Sequence, residues 1–149
     1  MTRPKLLPPV YFYLSLIAMI GWHFLFPVMR IIPSPWNAIG VIFLLSGTIL
    51  SLMGDRIFHQ VGTTILPYEE STSLVTQGVF RLSRNPMYLG FALLLAGAAF
   101  LLGSLTPFLV LPVFIFLIEK RFILVEEKML TAKFGQAFLD YQARVRRWI

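Results

Sequence analysis

The chain has 149 residues, 57% of them hydrophobic and 13% charged, a formal net charge of +6 and a mean hydropathy of +0.76, and a chain this short cannot bury so much apolar surface in one soluble core, so its solvent is lipid. The lack of cysteine excludes disulfides, thiolate nucleophiles and cysteine-ligated metals, and His23 and His59 are too few for a histidine-built metal centre. The basic balance reads as cytoplasmic flanks facing anionic lipid, not as a nucleic-acid surface.

Residues 10–29 form the first apolar segment, long enough for a crossing helix of about 20 residues. Pro8 and Pro9 precede it, and His23 is its one ionisable interruption before the end. Its apolar run is too long for a cleavable signal peptide, and no small-x-small cleavage site follows. Residues 36–54 form the second, entered through Pro33 and Pro35 with Trp36 suited to the interface. Gly40, Gly47 and Gly54 recur along it with Ser51 near the same stripe, the pattern of a close helix contact.

Residues 87–118 stay apolar throughout. As a single helix at about 1.5 Å per residue they would overshoot a hydrocarbon core of about 30 Å. Gly103-Ser104-Leu105-Thr106-Pro107 supplies a turn, giving a third helix near residues 87–103 and a fourth from about 107. Ala92, Ala96, Ala99 and Gly103 make a small-residue stripe suited to the hairpin contact. Glu119, Lys120 and Arg121 then interrupt the fourth helix early, so they are expected to face headgroups or a polar cavity, with Pro112 as a candidate kink. Residues 126–141 read as one interfacial helix with Leu130, Phe134, Phe138 and Tyr141 on one face. The expected fold is therefore all-α and integral to the membrane: four transmembrane helices, the third and fourth a hairpin, and a C-terminal interfacial helix, in one domain over residues 1–149.

Positive charge sets the expected orientation. Arg3 and Lys5 precede the first helix, Arg56, Arg81 and Arg84 lie between the second and third, and Lys120, Arg121, Lys128, Lys133, Arg144, Arg146 and Arg147 follow the hairpin. Only Arg30 falls on the other side, which places both termini and the central loop in the cytoplasm.

That orientation gathers one polar constellation on the cytoplasmic face. Residues 78–90 form a basic elbow opening into the third helix, with Arg81, Arg84, Asn85 and Tyr88. Such residues are costly at a bilayer boundary unless they meet a ligand, a headgroup or an acidic partner, and Glu126-Glu127 is that acidic partner. Arg84-Asn85-Pro86 also sets donors at a helix start, where the positive dipole end attracts a carboxylate or phosphate. The plainer readings are a membrane anchor with an N-cap, and an acidic first turn for the last helix. Neither accounts for Arg84, Tyr88 and both glutamates as a set. His23 reads as an interhelical hydrogen-bond partner and His59 as a surface histidine.

Taken in order, Gly62-Thr63-Thr64, residues 74–78, Arg84-Asn85-Pro86-Met87-Tyr88-Leu89-Gly90, Glu126-Glu127, Leu130, Phe134-Gly135, Tyr141 and Arg144-Val145 resemble a family. It is that of the integral-membrane methyltransferases, including isoprenylcysteine carboxyl methyltransferase and the phospholipid N-methyltransferases, and the resemblance covers about residues 60–149. It implies S-adenosylmethionine bound on the cytoplasmic side, between the elbow and the Glu-Glu helix, with an apolar substrate entering from the bilayer. Arg84, Asn85, Pro86, Tyr88, Gly90, Glu126 and Glu127 are the implied cofactor-binding residues, with Arg144 and Glu127 the implied catalytic ones. The sequence departs from the prenylcysteine enzymes at Asn85, where they usually carry histidine, at Phe138, where they usually carry tyrosine, and at Ile149, short of the longer tail that helps enclose the cofactor.

The chemistry agrees with this resemblance. A methyl sulfonium already carries its leaving group, so an enzyme must mainly align the reactants, exclude water and keep the nucleophile deprotonated. No Gly-x-Gly occurs, which excludes the soluble Rossmann way of binding this cofactor at motif level. The expected acceptor is an amphipathic small molecule or lipid. Arg144 is the candidate for positioning an anionic acceptor, and Glu126, Glu127 or His59 for deprotonating an amine or thiol. The competing readings are a methyltransferase for a small thiol or amine, an NADPH-dependent membrane reductase, and a non-catalytic membrane scaffold.

Overall fold

A computed structural model describes residues 6–26, 28–62 and 72–149. Arg3 and Lys5 of the charge pattern, and Thr63-Thr64 of the family-like pattern, lie outside the described residues. Among the described residues six α-helices follow in order: α1 (Pro8–Leu25), α2 (Gly40–Val61), α3 (Pro86–Leu102), α4 (Leu105–Ile118), α5 (Leu124–Phe134) and α6 (Gln136–Arg144). A short 3-10 turn (Trp36–Ile39) leads into α2, and another (Gly78–Arg81) precedes α3. No strand occurs among the described residues; an isolated antiparallel bridge joins Arg30 to Ser104.

Among the described residues two helices are long and apolar enough to cross a bilayer, Pro8–Leu25 and Trp36–Val61, while Pro86–Leu102 is apolar but shorter. Their outward faces carry exposed Leu14, Ile17, Phe24, Ile42, Leu45 and Leu52, side chains that suit hydrocarbon far better than water. The second helix runs past its expected end at Gly54, through Asp55, Arg56 and His59, to Val61. His59 lies on the exposed surface, 3.5 Å from Asp55 one turn back.

The glycine stripe of α2 makes the contact expected of it. A β-carbon on Gly40 would lie 2.5 Å from the Gly97 carbonyl oxygen, and one on Gly47 would lie 2.7 Å from that of Gly90. On Gly54 it would meet the Met87 side chain at 2.9 Å. Only glycine lets the two backbones approach this closely, and in lipid such contacts replace the hydrophobic drive between helices. The other side of α3 turns to α1 and α4: Ala92, Leu95 and Ala99 are buried with Met19, Val110, Phe114, Ile118 and Phe122. Phe12 stacks on Phe91 at 5.1 Å, and Tyr11 meets Phe122 edge-on at 5.4 Å.

The hairpin turn is tighter than the sequence suggests. Gly103 takes a left-handed conformation at φ 73°, and Ser104 already precedes α4. Leu105, Thr106 and Pro107 therefore belong to the first turn of α4, where proline is tolerated because the missing N–H has no helical acceptor. The loop after α1 closes this end, with Ile31 and Ile32 donating to the Gly103 carbonyl at 2.9 and 3.0 Å. His23 hydrogen-bonds Ser104 at 2.7 Å, tying α1 to the turn.

At the opposite end the expectation needs two corrections. Helix α4 does not stop at its charged residues: a π-helical turn (Glu119–Ile123) carries it directly into α5. The expected helix over residues 126–141 is broken at Gly135, whose backbone (φ 52°, ψ −125°) ends α5 and starts α6. Leu130, Phe134, Phe138 and Tyr141 still gather, but around Phe80 and Val75 and against Ile57 and Phe58 of α2.

Candidate active site

Pro86 begins α3, and its fixed φ and missing donor suit the first helical position. Asn85 occupies the N-cap position but does not cap with its side chain. Its Nδ2 donates instead to the Arg147 carbonyl at 3.0 Å. Ser83, fully buried, donates to the same carbonyl at 3.1 Å and accepts the Asn85 N–H at 3.1 Å. The Arg84 N–H donates to the Arg146 carbonyl at 3.0 Å. Residues 146–147 are thus laid across the elbow, their backbone carbonyls satisfied by the Arg84 N–H and the Ser83 and Asn85 side chains. Below them, Tyr141 Oη donates to the Phe80 carbonyl at 2.6 Å. Burial pushes the Tyr141 phenol up to about 12, against the opposing pull of the Arg84 charge.

The π turn decides which carboxylates face one another. On an α-helix, residues seven apart nearly align, whereas residues eight apart are rotated by close to a quarter turn. A π turn adds one residue to the winding, so Glu127 comes into line with Glu119 and Glu126 falls to a neighbouring face. A single guanidinium exploits that alignment. Arg147 donates from Nη1 to Glu119 Oε1 at 2.7 Å, from Nη2 to Glu127 Oε2 at 2.8 Å and from Nε to Glu127 Oε1 at 3.0 Å. These bonds raise its pKa above the ordinary arginine range, with the Glu127 hydrogen bond the largest cause. Trp148 Nε1 adds a longer contact to Glu119 at 3.4 Å.

Arg84 approaches the same carboxylate from the elbow. Its Nη1 lies 3.0 Å from Glu127 Oε1, and the two side chains are only 12% and 13% exposed. The alignment is too poor for a hydrogen bond at Nη1, and Nε is buried with no hydrogen-bond partner among the described residues. A buried guanidinium with unspent donors has the capacity to take an anionic group.

Glu126 differs from its neighbour. Tyr88 Oη donates to its Oε1 at 2.7 Å, and it forms no ion pair among the described residues. Burial pushes its pKa up to about 7; the Tyr88 hydrogen bond lowers it and the Glu127 charge adds to the rise. A carboxyl poised near neutrality can give or take a proton, and gains most from an arriving cation.

Six of the expected site residues, Arg84, Asn85, Pro86, Tyr88, Glu126 and Glu127, therefore meet at one end of the bundle. Gly90 does not join them: a β-carbon there would strike Ser51 and the Gly47 carbonyl, so it serves the α2–α3 contact. Arg144 is exposed, with Nε donating to the Asp140 carbonyl of its own helix at 3.2 Å. Arg147, counted from the sequence only in the basic flank after the hairpin, takes the central place. No signal in the sequence marks it, because its place depends on the alignment of Glu119 with Glu127 that the π turn makes. An open groove lined by Leu124, Glu127, Lys128, Thr131, Ala132 and Gln142 adjoins the cluster.

No curated protein matches the chain. The phospholipid methyltransferase family model matches residues 36–137, a span that holds the glycine contact of α2 and α3, the elbow, Tyr88 and both Glu126 and Glu127. With most of its length under that match, and with two helices fit to cross a bilayer, the chain belongs to the phospholipid methyltransferase family.

Proposed function

We propose that the protein is an S-adenosylmethionine-dependent methyltransferase of the membrane, acting on an amphipathic, lipid-like acceptor. The observation that carries this reading is the pairing, among the described residues, of unspent cationic donors with a carboxylate that has no ion-pair partner: there Arg84 Nε lacks a hydrogen-bond partner, and Glu126 is held by Tyr88. The methionyl part of the cofactor is a zwitterion whose carboxylate suits Arg84 and Asn85 and whose ammonium suits Glu126. When bound, the cofactor supplies an activated methyl group on sulfur. The chain's own residues then orient that group, exclude water through the segment over the elbow, and use Glu126 to accept the proton an amine or thiol acceptor must lose.

In this reading the helices make four crossings. Helix α3 at about 1.5 Å per residue reaches about 25 Å, and α4 continues through the π turn without a break, so the pair can traverse the bilayer as a hairpin. The charge asymmetry then puts the elbow, the glutamates and both termini in the cytoplasm. Exposed Leu109, Val113 and Phe116 of α4 leave an apolar flank by which the acceptor's hydrocarbon part can approach.

Calorimetric titration in detergent with S-adenosylmethionine, S-adenosylhomocysteine and NADPH tests the reading. Binding of the first two without NADPH is expected. Binding of NADPH alone would favour a reductase, and binding of none would leave a scaffold.

A further inference from the structure

We infer that Arg147 is a positioning residue of this site: it holds Glu119 and Glu127 as neutralised partners and so leaves Glu126 as the carboxylate that meets a cationic ligand. This rests on the methyltransferase reading for the identity of that ligand. The geometry of the clamp stands apart from it. Glu127 spends both oxygens on Arg147 and a further contact on Arg84. Glu119 spends one oxygen on Arg147 and faces Trp148 with the other. A carboxylate engaged bidentately by a fork of donors has little left to offer a third cation. Glu126, turned away by the π turn, has one oxygen on Tyr88 and no cation beside it among the described residues.

Position follows from the same contacts. Arg147 is itself fixed through its carbonyl, which accepts from Ser83 and Asn85, so its guanidinium is referenced to the start of α3. Through Glu127 it also fixes the side chain of Arg84, keeping that Nε available inside the cluster. Without Arg147, Glu127 and Glu119 would compete for Arg84 and for any arriving cation, and the division between a structural and a ligand-facing carboxylate would vanish.

Dicyclohexylcarbodiimide, which modifies protonated carboxyl groups in apolar surroundings, reads that division directly. In the unaltered full chain in detergent, peptide mapping by mass spectrometry is expected to find Glu126 modified and Glu119 and Glu127 spared. Arg147→Gln is expected to spread modification to Glu119 and Glu127. Arg147→Lys, which keeps the charge but not the fork, is expected to restore protection to only one of them. Modification of Glu127 as fast as Glu126 in the unaltered protein would overturn the inference, and so would an unchanged pattern in folded Arg147→Gln. In the same variant S-adenosylhomocysteine affinity is expected to fall about tenfold, the size of coupling found within one ionic network. Failure of the unaltered protein to bind S-adenosylhomocysteine would count against the methyltransferase reading alone, because the labelling pattern measures Arg147 without any ligand.

Discussion

The Tyr88 hydroxyl reaches Glu126 Oε1 at 2.7 Å, joining the first turn of α3 to the first turn of α5. One residue thus reports on both the packing of the hairpin and the protonation of the site. The phenol favours the ionised carboxylate, yet burial wins and the carboxyl stays near pH 7.

A pH dependence of stability follows. Because the folded pKa of Glu126 lies above its unfolded value, the native state holds the extra proton between about 4.5 and 7. Its contribution is most favourable below the unfolded value and is lost as pH rises through the folded one. The thermal midpoint in detergent is expected to fall from pH 5 to pH 8, by an amount equivalent to about 1–3 kcal/mol. Glu126→Gln should flatten that slope while keeping the fold. A slope that survives the substitution unchanged would assign the titration to another group.

Glu127 should behave in the opposite way. Its carboxylate neutralises Arg84 and Arg147 together and is largely buried. Glu127→Gln leaves Arg84 without its carboxylate partner and Arg147 with Glu119 alone, and is expected to cost about 2–4 kcal/mol, as removal of one partner of a buried pair does. Denaturation midpoints of the Glu126→Gln and Glu127→Gln proteins, measured side by side at pH 7, check this. Equal stability of the two would show that Glu127 is not the hub.

What the sequence made legible was set by short-range physics. The glycine spacing of α2 announced a close contact, because a helix repeat needs no partner to be seen, and Gly103 announced a turn. Arg84, Glu126 and Glu127 were legible as opposite charges, with Tyr88 beside the basic elbow, and the structure brings them to one end of the helices. The π turn was not, since Glu119–Ile123 has no composition that separates it from an α-turn. With the winding hidden, the alignment of Glu119 with Glu127 was hidden too, and so was the place of Arg147. Gly135 is a residue type that breaks helices, but the apolar face running through it argued for continuity. In the structure that face is made by two helices meeting the same aromatic cluster.

The close approach of α2 and α3 gives a third prediction. Gly47→Ala places a methyl group against the Gly90 carbonyl, at 2.7 Å before any adjustment, with Leu94 also in the way. The helices must separate, and a loss of about 1–3 kcal/mol is expected, the usual cost of overpacking. Gly21→Ala on α1 meets nothing within 4 Å and should be neutral or stabilising by up to about 1 kcal/mol, since alanine is the better helix former. Thermal unfolding of the two variants in the same detergent separates a packing role from a general intolerance of substitution.

Topology supplies a fourth. Ser34 and Gln77 are exposed and lie in the loops at opposite ends of α2. Single cysteines at these positions in the cysteine-free chain should label with an impermeant thiol reagent from opposite sides of the membrane, Ser34→Cys from outside and Gln77→Cys only after the cytoplasmic face is opened. Labelling of both from one side would show that α2 does not cross and would remove the orientation inferred from charge.

The acceptor is decided by where its reactive atom must sit. Glu126 lies at the end of helices whose flanks are apolar, bonded to Tyr88, whose ring sits 6.4 Å from that of Phe122. A molecule that brings a nucleophile to this carboxyl from the bilayer needs a polar head at the boundary and an apolar tail along the helices. A wholly soluble acceptor gains nothing from the apolar flank. Methyl transfer from labelled S-adenosylmethionine is therefore expected to membrane lipid or to prenylcysteine analogues in preference to small water-soluble thiols. For an amine or thiol acceptor, Glu126→Gln should lower kcat far more than it raises KM, because the proton leaves as the new bond forms. A carboxylate acceptor has no proton to surrender at neutral pH, so the same variant would then change KM for the cofactor and leave kcat nearly intact. Turnover confined to soluble thiols would reject the amphipathic acceptor while leaving methyl transfer itself standing.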